Sequence, residues 1–279
     1  MANILVIGYG DIGAALAKEL MSSGHTVTGL RRTDIAEKSK ASFIKADVSD
    51  INSLKNHSFN FDQVVYILSP SGGGLAEYEK VFDHGVRNVL ELFKEQCPQV
   101  AITFVSSTRV YGQDKGEWVN EDSVTDPKDE RGRLLLGAEK AFLAFNKKTT
   151  VVRFSGIYGR SNYFLNQIKS GVGIQKDPPY YTNRIHRDDC VGALIFIVNK
   201  KSDDVQMVGV YIASDSDPAA KWDVATYLAG SVNTQQPEAI VLELNVSQNK
   251  RIENRRLIEA GYKFKYPSYK QGYGVVNGK

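Results

Sequence analysis

Residues 4–13 read Ile-Leu-Val-Ile-Gly-Tyr-Gly-Asp-Ile-Gly, an apolar run followed by glycines in the pattern Gly-x-Gly-x-x-Gly. A helix-compatible stretch rich in Ala, Leu and Lys continues to Met21. In a strand–loop–helix unit of this kind, the first glycine permits the tight turn and the second lets a pyrophosphate approach the backbone. The third allows close helix–strand packing, and the helix N-terminus favours the phosphates. The stretch therefore predicts a dinucleotide-binding loop, rather than a turn without a ligand, made of Gly8, Tyr9, Gly10, Asp11, Ile12 and Gly13.

Strand-like and helix-like segments alternate over the first 155 residues. The strands are continuous apolar runs, at 4–7, 25–30, 42–46, 62–68, 100–105 and 149–154, and the longest helical patterns cover 76–96 and 131–145. Because such strands suit a sheet covered on both faces, the pattern predicts an α/β fold with a Rossmann-type, doubly wound parallel sheet. We expect a dinucleotide-binding domain over 1–155, to which 185–215 returns, and a smaller substrate lobe over 156–279. In that lobe the sequence predicts helices at 162–169, 187–199 and 221–229, strands at 209–213 and 239–244, and a loop at 171–184.

Composition narrows the class of protein. Hydrophobic residues form 42% and charged residues 24% of the 279, as in ordinary globular proteins, and the net charge of +3 does not favour a nucleic-acid partner. Cys97 and Cys190 lie far apart and the four histidines are scattered, so we expect no disulfide framework and no metal site. The apolar runs are too short for a signal peptide or a membrane span. The sequence predicts a cytoplasmic protein without a membrane partner.

The end of the second strand bears on the choice of dinucleotide. An NAD site usually has Asp or Glu there, whereas this chain has Gly29-Leu30-Arg31-Arg32. Two arginines suit a 2′-phosphate, because charge-assisted hydrogen bonds to phosphate are strong. They predict NADP(H), with NAD(H) as the alternative if both are solvated loop charges. Asp47, after the third strand, either accepts from the adenine amino group or caps a turn or helix.

Several motifs carry a family resemblance: GYGDIG at 8–13, ADV at 46–48, FVSSTRVYG at 104–112, RFSGIYG at 153–159, IHRDDCVGAL at 185–194 and KRIENRRLIEAGYKFKYP at 250–267. In this order they resemble the extended short-chain dehydrogenase/reductases of the nucleoside-diphosphate-sugar epimerase and dehydratase group. The resemblance implies an active site in a cleft between the two domains and a small-molecule substrate, such as a phosphorylated compound or a nucleotide sugar. It also implies a homodimer through helices 76–96 and 131–146, and cofactor contacts from Val48, Ser69, Ser106, Phe154 and Ile157.

The catalytic motif departs from the family. Relatives use a Ser or Thr that matches Ser107, together with a Tyr and a Lys four residues apart, and the matching positions here hold Arg131 and Leu135. In relatives the Tyr is the general acid/base, and the Lys lowers its pKa and holds the nicotinamide ribose. A guanidinium does not deprotonate at working pH, and leucine carries no charge. Thr108 and Arg109 likewise replace the acidic pair of the dehydratases. The chain thus resembles the atypical members, which keep the dinucleotide site without the standard active site.

Other residues are left as candidates. Tyr111, Tyr158 and His186 are candidates for proton transfer, with packing or a structural hydrogen bond as the alternative. Arg251 lies in a basic segment, 247–270, with seven basic and two acidic residues. It is a candidate for binding an anionic substrate, with a solvated amphipathic helix as the alternative. The sequence predicts an NADP(H)-dependent oxidoreductase or isomerase acting on a carbinol or carbonyl, or alternatively a non-catalytic NADP(H)-binding sensor or scaffold.

Overall fold

The computed structural model describes residues 1–34, 40–203, 205–242 and 248–276. The helices are α1 (Asp11–Ser22), α2 (Ile51–Lys55), α3 (Leu75–Glu79), α4 (Gly85–Gln96), α5 (Glu130–Phe145), α6 (Tyr163–Lys169), α7 (Arg187–Ser202), α8 (Lys221–Ser231), α9 (Arg255–Glu259) and α10 (Tyr269–Val276). The strands are β1 (Asn3–Ile7), β2 (Thr26–Arg31), β3 (Ser42–Lys45), β4 (Gln63–Tyr66), β5 (Ala101–Ser107), β6 (Glu117–Val119), β7 (Thr150–Phe154), β8 (Gly156–Tyr158), β9 (Ile174–Asp177), β10 (Tyr181–Thr182), β11 (Arg184–His186), β12 (Gly209–Ala213), β13 (Ala219–Ala220), β14 (Ala239–Val241) and β15 (Lys250–Ile252). None of the described helices is long and apolar enough to cross a membrane.

The chain divides into two compact units. Unit 1 comprises residues 1–110, 127–153 and 191–211, and unit 2 comprises residues 111–126, 154–190 and 212–279. These boundaries differ from the expected ones in two places. The segment 111–126 was expected in the dinucleotide-binding domain and lies in unit 2. The later segment of unit 1 is 191–211, which is shorter than the expected 185–215.

A seven-stranded parallel sheet, counted over the described residues, organises unit 1. Its strand order is β12-β7-β5-β4-β1-β2-β3, with helices on its faces. The order reverses at β1, and the loop after β1 therefore lies at the topological switch point where α/β sheets bind ligands. β1 and β4 are almost entirely buried, as continuous apolar strands should be. The predicted Rossmann-type α/β fold is confirmed.

One predicted helix of unit 1 is interrupted. The sequence pattern suits a single helix over 76–96, but a π-helical turn at Lys80–His84 separates α3 from α4. The buried hydroxyl of Tyr66 donates to the carbonyl oxygen of Val81 at 2.6 Å. A Cβ on Gly85 would lie 2.9 Å from the hydroxyl oxygen of Tyr66 on β4, so the helix approaches the sheet closely here. The tertiary contacts of this turn explain why helical periodicity alone missed it.

Unit 2 contains short strand pairs and a separate core. β6–β15, β8–β11 and β9–β14 are parallel pairs, and β10–β13 is antiparallel. The prediction of a loop at 171–184 is wrong, because this segment contains β9 and β10. Both pair with strands that lie tens of residues later in the sequence. Residues of α6, α8 and α10 form the apolar core around Leu165, Val224, Leu228 and Tyr273.

Candidate functional site

The glycines after β1 have separate roles. Gly8 has φ +106°, and a Cβ there would lie 2.2 Å from the carbonyl oxygen of Ile67. A Cβ on Gly13 would lie 2.1 Å from the carbonyl oxygen of Gly8. Gly10 differs, because a Cβ there would have no atom within 4 Å. Gly10 precedes α1 and offers no side-chain cap to its first amides, which suits the binding of a pyrophosphate at this helix N-terminus.

Tyr9 holds this loop against the sheet. Its ring meets Phe43 of β3 edge-on, with centroids 4.8 Å apart. The contact passes over Gly29 of β2, where a Cβ would lie 2.5 Å from Tyr9 Cδ2. Asp11 then opens α1, and Ile12 is half-buried in its first turn. The loop is thus fixed on both sides of Gly10, which suits binding without rearrangement.

Arg31 is the last residue of β2, the strand that pairs with β1, and Arg32 follows it. Arg31 Nη2 donates to Thr33 Oγ1 at 2.7 Å. Arg32 Nη2 donates to Ser71 Oγ at 2.5 Å, and its Nη1 lies 3.8 Å from Asp47 Oδ2. Each guanidinium has five N–H donors, so these contacts leave donors to bind a phosphate.

Asp47 lies two residues beyond β3 and closes a turn. Its Oδ1 accepts from the amide of Ser49 at 2.9 Å and from Ser49 Oγ at 2.8 Å. These bonds match the turn alternative raised from the sequence. The adjacent Val48 is buried, and its carbonyl oxygen accepts from Asn88.

The other expected cofactor residues differ in exposure. Ser69, beyond the end of β4, and Ile157, on β8, are exposed. Ser106 and Phe154 are buried, at the ends of β5 and β7. Ser106 Oγ has no hydrogen-bond partner among the described residues.

Ser107 is the last residue of β5, and Arg109 lies in the turn that follows it. Ser107 Oγ accepts from the amide of Arg109 at 3.2 Å. Arg109 makes a two-point contact with Asp129, at 3.0 and 2.7 Å, while Asp129 also caps α5 by accepting from the amide of Gly132. Burial alone would raise the pKa of Asp129, but the hydrogen bonds from Arg109 and Gly132 outweigh it and lower the pKa. Arg109 therefore anchors the start of α5.

Arg131 and Leu135 stand where relatives have the catalytic Tyr and Lys. Arg131 Nη2 donates to the carbonyl oxygen of Gly73, and its guanidinium carbon lies 5.4 Å from the centre of the Tyr78 ring. Leu135, one turn later, is 4% exposed and packs in the core. The first position thus holds a fixed cation, and the second has no charge to offer a cofactor.

Tyr111 and His186 both lie in unit 2 and both make structural contacts. The Tyr111 side chain is 1% exposed, and its hydroxyl donates to the carbonyl oxygen of Asn120 at 2.8 Å. His186 Nδ1 accepts from the amide of Asp188 at 3.2 Å, in the first turn of α7. Burial lowers the pKa of His186, even though Asp188 acts in the opposite direction. A neutral ring with Nδ1 as acceptor matches the structural alternative for this histidine.

Tyr158 belongs to a buried polar cluster that the sequence did not reveal in full. Its hydroxyl and Asp215 Oδ2 have no hydrogen-bond partner among the described residues. Burial raises the pKa of Tyr158, and burial raises the pKa of Asp215 to about 8 although Arg184 acts in the opposite direction. Arg184 lies immediately before the motif at 185–194 that contains His186, and this position could have indicated it. Asp215 has no comparable signal, because it lies in a loop after β12.

Arg251 lies on β15, outside the helix of the amphipathic alternative. Its guanidinium carbon is 5.0 Å from the centre of the Trp118 ring and 4.8 Å from that of Tyr181. Its Nε donates to the carbonyl oxygen of Gly116 at 2.8 Å. On α9, by contrast, Arg255 pairs with Glu259 at the surface.

The histidines and cysteines form no metal site in the described segments. No group of three or more His, Cys, Asp or Glu side chains is placed to hold a metal ion in this part of the chain. Cys97 and Cys190 are buried and are not joined in a disulfide.

Comparisons with known proteins agree with this geometry. The model of the NAD dependent epimerase/dehydratase family matches residues 4–208. None of the curated proteins matches the sequence. A Methylobacillus flagellatus structure, provisionally assigned as an NAD-dependent epimerase/dehydratase, is 31% identical with a TM-score of 0.81, covering 98% of this chain and 97% of that one. A functionally unknown conserved protein from Silicibacter pomeroyi is 24% identical with a TM-score of 0.74, covering 100% and 99%.

A further solved structure shows the same fold at lower identity. The dTDP-glucose 4,6-dehydratase of Bacillus anthracis, in complex with NAD, is 17% identical with a TM-score of 0.78, covering 100% of this chain and 96% of that one. At this identity the likeness shows the fold alone.

Proposed function

This chain belongs to the NAD-dependent epimerase/dehydratase family, and on that premise we propose that unit 1 binds NADP(H) for oxidation or reduction of a carbinol or carbonyl. One observation carries the proposal: the glycine loop between β1 and α1 lies next to the end of β2, the strand that pairs with β1 and leads to Arg31 and Arg32. The N-terminus of α1 at Gly10 suits a pyrophosphate, and the two guanidiniums suit a 2′-phosphate. The family relative solved with NAD shares this fold.

Two sets of groups in unit 1 bind the two phosphate-bearing parts of the dinucleotide. The α1 amides next to Gly10 bind the pyrophosphate, and Arg31 and Arg32 bind the 2′-phosphate with donors that Thr33 and Ser71 leave unused. When bound, the nicotinamide supplies the site for hydride transfer. Preference for NADP(H) over NAD(H) then depends on the two arginines.

Ser107 and Arg131 are the polar groups of unit 1 that we assign to the reacting oxygen. A serine hydroxyl donates to a carbonyl oxygen, and a guanidinium stabilises negative charge that develops there. Arg131 cannot exchange the proton, since guanidinium stays protonated at working pH. We therefore expect proton transfer to come from solvent or from the substrate itself, with a rate below that of a Tyr–Lys enzyme.

Titration with NADPH and NADH tests the cofactor assignment. We expect Arg31→Gln and Arg32→Gln each to weaken NADPH binding about tenfold or more, because a hydrogen bond to a charged group contributes about 1.5–3 kcal/mol. NADH binding should stay within about twofold of the wild type, since its ribose lacks the phosphate. Arg87→Gln is the matched control, because Arg87 is an exposed arginine of α4 that pairs with Asp83. Equal NADPH-to-NADH affinity ratios in all four proteins would contradict the assignment.

A non-catalytic NADP(H) sensor is the second candidate. The burial of Leu135 and the engagement of Arg131 by Gly73 favour it, because neither position offers the family's chemistry. NADPH oxidation is measured against aldehydes, ketones and nucleotide sugars. Turnover that disappears in Ser107→Ala while NADPH binding persists supports the enzyme. Tight NADPH binding without turnover on any of them supports the sensor.

A further inference from the structure

Aromatic side chains from two strands of unit 2 contact the guanidinium of Arg251 on a third strand. Trp118 comes from β6 and Tyr181 from β10, and their ring centres lie 5.0 and 4.8 Å from the guanidinium carbon. The carbonyl oxygen of Gly116 accepts from Nε at 2.8 Å. We call Trp118, Tyr181 and Arg251 the arginine clamp. Cation–π contacts with two rings, together with the Nε hydrogen bond, restrain the orientation of a guanidinium.

The backbone fixes the members of the clamp relative to one another. In the β6–β15 pair, Arg251 lies opposite Trp118, which puts both side chains on the same face. Gly116 turns the chain into β6 with φ +79°, and its amide donates to the carbonyl oxygen of Asn249 at 2.8 Å. Asn249 Oδ1 also accepts from the amide of Tyr181 at 2.8 Å. The strand pairing and the hydrogen bonds of Asn249 therefore fix the backbone positions of the three clamp residues.

The terminal nitrogens of Arg251 have no hydrogen-bond or ion-pair partner among the described residues. Neighbouring arginines of the basic segment differ, because Arg255 pairs with Glu259 and Arg256 with Asp122, both at 2.6 Å. Nε is already engaged, so the two terminal NH2 groups form the available fork. A fork held in one plane suits two parallel hydrogen bonds to a carboxylate or phosphate.

The charges around the clamp leave the fork without a neutralising partner. Lys250, which precedes Arg251 on β15, points to the opposite face of the strand and donates from Nζ to the carbonyl oxygen of Tyr111. The nearest acid in β6, Glu117, has its Oε2 engaged by the amide of Lys115 at 2.7 Å. No ion pair joins Arg251 to an acidic residue of the described chain. The charge of the fork is thus left for an external anion.

From these contacts we propose that the arginine clamp is an oxyanion-binding site, which takes a phosphate or carboxylate group of a small molecule. Its use for the substrate rests on the proposed function and makes that substrate an anionic carbonyl or carbinol compound. Binding of the anion itself does not depend on NADP(H). The two can therefore be tested separately.

Trp118 provides a direct reporter. The chain has two tryptophans, Trp118 and Trp222, and the Trp118 side chain is 57% exposed while contacting Arg251. In a Trp222→Phe protein, the fluorescence of Trp118 is followed during titration with inorganic phosphate, pyrophosphate, acetate and malonate at constant ionic strength. We expect a saturable change with at least one of these anions. Comparison of phosphate and pyrophosphate with acetate and malonate shows whether phosphates or carboxylates bind more tightly.

Variants at one position separate charge from geometry. We expect Arg251→Lys to weaken binding roughly tenfold, because an ammonium keeps the charge without the two-point fork. Arg251→Gln should abolish saturation, and Arg255→Gln, in the same basic segment, should bind within about twofold of the parent. Thermal unfolding of each variant verifies folding, and if Arg251→Gln fails to fold, Arg251→Lys decides the result.

Two outcomes overturn the proposal. One is no saturable response to any of the four anions in the folded Trp222→Phe protein. The other is binding of equal strength in the parent and in a folded Arg251 variant. NADPH titration of the same proteins keeps the conclusions apart, since absence of anion binding in the Trp222→Phe parent with NADPH binding intact rejects the clamp alone. Anion binding without NADPH binding supports the clamp and rejects the proposed function.

Discussion

Arg131 donates from Nη2 to the carbonyl oxygen of Gly73, in the loop that follows β4. The same loop accepts from Arg32 through Ser71, so two arginines hold it. Arg131 also lies 5.4 Å from the centre of the Tyr78 ring. A residue at the position of the family's general acid/base thus contributes to local structure, and its charge is constant over the working pH range.

The environment of Leu135 predicts that the family's lysine cannot be restored without loss of stability. Leu135 is 4% exposed on α5. Leu135→Lys should lower the free energy of unfolding by about 3–5 kcal/mol, because it buries an uncompensated charge. Leu143→Lys is the control on the same helix, where the side chain is 37% exposed, and it should change stability by about 0.5 kcal/mol or less. Urea denaturation measures both, and equal midpoints would show that the site tolerates a charge.

The glycines of the phosphate loop predict separate losses of folding and of binding. Gly10→Ala should alter the free energy of unfolding by about 1 kcal/mol or less, since its Cβ meets no atom within 4 Å. It should weaken NADPH binding about tenfold or more, because the methyl group enters the space of the pyrophosphate. Gly8→Ala should destabilise the fold by more than about 2 kcal/mol, given its positive φ and the clash with Ile67. Unchanged NADPH affinity in a folded Gly10→Ala protein would place the pyrophosphate elsewhere.

The buried ion pair between Arg153 and Glu139 links β7 to α5 in unit 1. The Arg153 and Glu139 side chains are 5% and 1% exposed, and two hydrogen bonds of 3.0 and 2.6 Å join them. Glu139→Ala should cost about 3–5 kcal/mol, because the guanidinium stays buried without its partner. Glu259→Ala removes the partner of Arg255 at the surface, where solvent screens the pair, and should lower stability far less. Thermal and urea unfolding compare the two, and similar losses would contradict this account.

Local patterns were enough to predict the sheet of unit 1 and its glycine loop. The run before Gly8 is apolar without alternation because β1 lies in the interior of a covered sheet, and the glycine spacing follows from steric contacts within one loop. Both signals lie within a few residues of each other. The substitutions at Arg131 and Leu135 were also visible, because they interrupt a motif of fixed spacing.

Contacts between distant segments could not be predicted in the same way. The clamp joins Trp118, Tyr181 and Arg251, and the sequence has no signal that brings β6, β10 and β15 together. β9 was expected as a loop because its pairing with β14 joins segments more than 60 residues apart. Asp215 and Tyr158 likewise become a cluster only through tertiary folding. Such features depend on which surfaces pack, and periodicity within one segment does not contain that information.

The buried carboxyl of Asp215 predicts a specific pH dependence of stability. Burial raises its pKa to about 8 in the folded protein, above the value of about 3.9 expected when unfolded. Between these values the folded state binds more protons, so this group's contribution to the free energy of unfolding falls as pH rises, by at most about 1.4 kcal/mol per pH unit. Asp215→Asn should remove that contribution while keeping the shape of the side chain.

Urea denaturation of the wild type and of Asp215→Asn from acidic to mildly alkaline pH measures this contribution as the difference between the two proteins. His186 acts in the opposite sense, because its lowered pKa makes stability fall as pH drops below about 6.5. Both proteins retain His186, so its effect cancels in the difference to first order. We expect the stability of the wild type relative to Asp215→Asn to decline as pH rises toward 8. A difference that is constant with pH would show that Asp215 is ionised in the folded protein, stabilised by Arg184.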